Sequence, residues 1–89
     1  MNLDDLLTRY FGTATLDNLA PGARAAGVER ILVDLGLSRD RRHRFALWSL
    51  LHMLDAAPDP DIAFHDPADR DAARNLMDLL AAAEGAAER

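Results

Sequence analysis

The residues with chemistry to offer in this 89-residue chain are three histidines, one well-placed serine and ten arginines. His43, His52 and His65 are not spaced to share a metal, since neither H-x-x-x-H nor H-E-x-x-H occurs. With no Cys, disulfides and thiolate metal sites are excluded. Ser49 and His52 lie three apart on one helical face, so a hydroxyl–imidazole contact is conceivable, with Asp55 the only nearby carboxylate to orient the ring. No pocket is expected around such a pair on an apolar helix, and it is read as solvated or satisfied within the core. Asp59-Pro60-Asp61 begins like a calcium loop, but Phe64 and Arg70 stand where that loop needs Gly and Glu. There is no glycine-rich phosphate loop. The expected chemistry is therefore non-enzymatic, without metal or cofactor.

Recognition is the better prospect. Arg39, Arg41, Arg42, His43 and Arg44 crowd into a few residues at the start of an apolar stretch. Cations at a helix start sit against the dipole, each disfavoured by tenths of a kcal/mol. Beside free backbone N–H groups, Arg39, Arg41 and Arg42 would form an anion site for a carboxylate, a phosphate or an acidic partner. Neutralisation by Asp40 and the acids between Asp59 and Asp71 is the competing expectation. Further along, Arg41, Arg44, Phe45, Trp48 and His52 make a strip at helical spacing, with each Arg four residues before an aromatic ring. Trp, Phe and Arg are enriched at interface centres, so this strip is the expected partner-binding surface. Packing of Phe45 and Trp48 under the first helix, against Tyr10 and Phe11, is the structural alternative.

These residues depend on helices to position them. Ser38 to Ala57 reads as a central helix with Ser38 as N-cap and no Gly or Pro before Pro58. Placed at 100° per residue, Ala46, Leu47, Leu50, Leu51, Met53 and Leu54 fill a wide apolar arc. Asn2 to Phe11 forms a first helix, capped by Asn2, with Leu3, Leu6, Leu7, Tyr10 and Phe11 on one face and Gly12 as its C′ residue. Thr15 to Leu19 could make a single turn. Pro21 opens a second helix to Leu35, packing through Val28, Ile31, Leu32 and Leu35 and ended by Gly36. Gly22 and Gly27 either weaken that helix or permit a close helix–helix approach. Ile62 to Phe64 is an apolar anchor and could add one more turn. Asp66-Pro67-Ala68-Asp69 starts the last helix, whose face is Ala72, Ala73, Leu76, Leu79, Leu80 and Ala83. The result is an all-α, four-helix domain, orthogonal or bundle-like, over residues 1–84, with 85–89 as a frayed tail.

Composition narrows the function classes. No apolar run reaches the ~18 residues of a membrane span, and the first residues lack the pattern of a signal peptide. The absence of Lys beside ten Arg and abundant Ala fits GC-rich coding, pointing to a bacterial cytoplasmic protein. The net charge of −5 is uneven: residues 38–57 carry four Arg against two acids, residues 58–89 three Arg against eight. General nucleic-acid binding rests on phosphate neutralisation and fits this balance poorly. The Gly36 break before an Arg-rich helix resembles a helix–turn–helix in outline, but Phe45 to Leu54 is too apolar to lie in a groove. The expectation is a non-enzymatic helical protein-interaction or regulatory domain, accessory to a larger system and possibly homodimeric, that recognises carboxylates on a protein partner or a second copy. The alternative is a nucleic-acid binder using Arg39 to Arg44.

Overall fold

The computed structural model describes residues 3–13, 17 and 19–87. Among them there are five helices and no strand: α1 Leu3–Phe11, α2 Pro21–Leu37, α3 Arg41–Met53, α4 Pro60–Ala63 and α5 Pro67–Ala87. The all-α class expected from the periodicity holds, and α4 supplies the extra turn beside Ile62. The chain divides into two compact units, Met1–Ala57 and Pro58–Arg89.

In the first unit, α2 packs against both α1 and α3. Asp4 and Asp5 sit in the first turn of α1, where the helix dipole favours acids. Gly12 ends α1 with φ 73°, a left-handed conformation that costs Gly little, while its N–H donates to Thr8 O at 2.9 Å. The proposed Asn2 cap and most of the proposed turn at Thr15 to Leu19 lie outside the described residues. Pro21 occupies the start of α2, as expected. Gly27 makes room for the last residue of α1, since a Cβ there would lie 2.1 Å from the Phe11 ring. The permissive reading of that glycine is thus the structural one.

The join between α2 and α3 departs from expectation. The second helix does not stop before Gly36; it continues to Leu37, and Ser38 closes it by donating its N–H to Asp34 O at 2.8 Å. Ser38 is therefore the end of α2 rather than the cap of α3. Asp40 caps α3, its Oδ1 accepting the N–H groups of Arg42 (2.9 Å) and His43 (3.3 Å). Nor does α3 reach Ala57. It ends at Met53, after which Asp55 adopts φ 59°, donating to His52 O, while Ala56 donates to Leu51 O. This 6→1 and 5→2 pair is a Schellman closure with Asp in the position usually taken by Gly.

Leu6, Leu7, Tyr10, Ile31, Leu35, Leu47, Leu50, Leu51 and Leu54 form the core, with Phe11, Val28 and Ala46 packed at its edge. Two expected members are missing: Leu32 and Met53 are exposed. On α3 the buried sector is rotated by roughly 60° from the apolar arc, away from Met53 and toward Trp48.

The second unit consists of α4 packed on α5. Asp59 caps α4 and Asp66 caps α5, each accepting the backbone N–H two residues on at 2.8 Å. Pro60, Ala63, Phe64 and Ala73 are buried. The expected packing face of α5 is only partly covered, since Ala72, Leu79 and Ala83 are exposed. The helix runs on through Gly85 to Ala87.

Candidate functional site

The strip on α3 is rearranged relative to its sequence reading. Trp48 is buried, at 1 % exposure, while Phe45 and His52 are half-buried and Arg41 is exposed. The His52 ring stacks on Trp48 at 5.4 Å and 9°, and Phe45 meets Trp48 at 6.3 Å with a 41° tilt. Trp48 is thus a platform on which its neighbours rest. The core cluster that holds Tyr10, and against which Phe11 packs, does not contain Trp48. Arg44 is committed to the end of α2: its Nη1 donates to Leu35 O and to Ser38 O, the latter at 3.1 Å. Those carbonyls lie at the negative end of the α2 dipole, where a cation is favoured. Of the strip, Arg41, Phe45 and His52 keep surface for a partner.

Arg39, Arg41 and Arg42 are all exposed. The backbone donors that an anion would have used at the start of α3 are occupied, because the Asp40 carboxylate accepts from Arg42 and His43. Ser49 and His52 are not coupled as a dyad: the Ser49 hydroxyl donates to Phe45 O at 2.8 Å, a local i−4 bond. No group of three or more His, Asp or Glu side chains among the described residues could hold a metal ion.

A second constellation lies between α1 and α2. The Tyr10 hydroxyl donates to Asp34 Oδ2, and the Arg30 guanidinium carbon lies 5.8 Å from the Tyr10 ring centroid. Burial, and next the adjacent Asp34 carboxylate, push the Tyr10 phenol up to about 12, so it stays a hydrogen-bond donor at any physiological pH. Above it runs an open groove of about 580 Å³ lined by Arg9, Ala26, Glu29, Arg30, Val33 and Asp34. The groove carries both signs of charge. Nothing local in the sequence pairs these residues, since Tyr10 and Asp34 stand 24 positions apart.

In the second unit, Arg74 bonds Asp61 at 2.7 Å and holds its carboxyl below the usual carboxylate range, while Arg70 Nε donates to Phe64 O at 2.7 Å. Both described cations of this unit are thereby engaged. Leu79 (68 % exposed) and Ile62 (77 %) are its most exposed large apolar side chains.

No family model, curated protein or solved structure matches the chain. Among the described residues, no helix is long and apolar enough to cross a membrane. The fold defines a small all-α chain.

Proposed function

We propose that this chain is a non-enzymatic helical interaction domain, acting by docking on protein partners as an accessory or regulatory component of a larger bacterial, cytoplasmic system. The observation that supports it is the apolar side of α5, where Ala72, Leu79 and Ala83 are exposed beside the half-buried Leu76 and Leu80. Isolated exposed leucines are ordinary, but a continuous apolar face along a helix is the usual form of a docking surface. Self-association is one version of this reading, and Arg41, Phe45 and His52 would be the α3 contribution to it. The test uses tagged protein in lysate of the source cells, with a Leu79→Glu variant as control. A protein retained by the wild type and lost from the variant is the expected result. No retained protein, together with a monomeric mass at high concentration in low salt, would defeat the reading.

The nucleic-acid alternative draws support only from the exposure of Arg39, Arg41 and Arg42. Asp40 sits among them, Arg44 is committed to α2, and the remaining open side of α3 carries Phe45 and Met53 rather than a polar reading row.

A further inference from the structure

We infer that the apolar face of α5 is a docking site for a basic amphipathic helix of another protein. This rests on the interaction-domain reading and names the partner by its chemistry. At 100° per residue, Ala72, Leu76, Leu79 and Ala83 form one row along α5, at the 4-3-4 spacing that a second helix can match. Asp71, Asn75 and Asp78 form the adjoining row. Neither Asp71 nor Asp78 has a hydrogen-bond or ion-pair partner among the described residues, and two turns of helix separate them, about 10 Å.

Charge decides the occupant. Residues 58–89 hold eight acids against three Arg. Of those arginines, Arg70 is bonded to Phe64 O and Arg74 to Asp61; Arg74 also attracts Asp71 through space but makes no hydrogen bond or ion pair with it. An apolar row edged by exposed carboxylates favours a helix with an apolar stripe and cations beside it, spaced by about seven residues. A second copy fits badly. Its one arginine-rich helix, α3, has its apolar residues Leu47, Leu50 and Leu51 fully buried, and pairing two α5 helices would bring like charges together. An anionic lipid surface is repelled by the same carboxylates.

The probe is a synthetic Leu/Lys peptide about three heptads long, apolar at a and d, with a Leu/Glu peptide of the same pattern as its control. Binding is read by fluorescence anisotropy of the labelled peptide against the full chain. The Leu/Lys peptide is expected to bind and the Leu/Glu peptide not to. Asp71→Arg with Asp78→Arg should weaken binding about tenfold or more, and added salt should weaken the wild-type complex. Leu79→Glu should weaken it comparably. Asp5→Arg with Asp17→Arg changes the net charge equally at exposed positions of the other unit and should leave the affinity unchanged. Circular-dichroism melts establish that each variant is folded. Equal binding of both peptides, equal loss in both double variants, or indifference to Leu79→Glu overturns the inference. So does a homodimer that Leu79→Glu dissolves, or capture by anionic vesicles that the same variant abolishes; the dimer would leave the broader interaction reading standing.

Discussion

In Met1–Ala57 the residues Ile31, Leu47, Leu50 and Leu51 have no exposed surface, whereas in Pro58–Arg89 Ile62 and Leu79 stand mostly in solvent. The polar links differ less. The first unit ties its helices with part-buried bonds: Tyr10 to Asp34, Arg44 to the end of α2, and Arg24 Nη2 to Leu54 O at 2.9 Å. The second joins α5 to the end of α4 by the part-buried Arg70 Nε to Phe64 O bond and adds an ion pair whose side chains are about half exposed. Size accounts for the contrast. Three helices can enclose a shared core, but a 21-residue helix beside a 4-residue one leaves sides of the longer helix uncovered. Apolar surface that folding does not use is surface available to a partner.

The strongest way to break this comparison is to place the same charge in both units. Leu50→Asp buries an unpaired carboxylate where truncation to Ala alone would cost about 2–5 kcal/mol. Against a total stability of roughly 5–15 kcal/mol, that is expected to abolish folding. Leu79→Asp should cost at most about 1 kcal/mol, chiefly helix propensity. Circular-dichroism melts check both. A cooperative Leu50→Asp transition or an unfolded Leu79→Asp protein would erase the difference between the units.

That first contrast was half legible in the sequence. Periodicity on α3 identifies Leu47, Leu50, Leu51 and Leu54 as core because four leucines on one side dominate any placement of the helix. It misplaces Met53 and undervalues Trp48, since apolarity does not say which edge of a wide arc its neighbours cover. The cap was misread for a related reason. Ser38 and Asp40 are both good N-caps, and the choice between them is made by α2 extending through Gly36 and consuming Ser38. The Tyr10–Asp34–Arg30 group lay beyond sequence reasoning, because it exists only once α1 packs on α2.

A smaller effect should come from that group. The Tyr10 phenol is pushed up to about 12, so the folded state holds its proton more tightly than the unfolded chain, which titrates near 10. The stabilisation is fully present below about pH 10 and is lost as pH rises toward 12, amounting to roughly 2 kcal/mol. Tyr10 is the only tyrosine, so ultraviolet titration reads it directly. An ionisation midpoint near 10 in the folded protein would refute the buried Tyr10–Asp34 bond. Asp34→Asn should move the midpoint down toward the ordinary value.

Smaller again is the end of α3. Asp55 holds a left-handed φ of 59° that Gly adopts without a Cβ penalty. Its side chain is exposed, so Asp55→Gly exchanges little contact for relief of strain. A gain of about 0.5–1 kcal/mol in denaturant unfolding is expected, in spite of the added freedom of the unfolded chain. A loss of that size would mean that the closure at Leu54 to Ala56 is not the one described.

The least effect should come from the ion pair of the second unit. Arg74 holds the Asp61 carboxyl below its ordinary range, so whatever the pair contributes is present above the usual carboxylate pKa and is lost as pH falls through the depressed value. Both side chains are well exposed, and solvent and salt screen their attraction. Asp61→Asn is therefore expected to melt with the wild type at neutral pH in moderate salt, the two curves separating only marginally at low ionic strength. The sign of its pH dependence is opposite to that of Tyr10: one unit loses a contribution in base, the other in acid. A large drop in the neutral-pH melting temperature of Asp61→Asn would show that α4 depends on this pair. Pro58–Arg89 would then hold its short helix by electrostatics, and its contrast with the leucine-filled first unit would be one of kind.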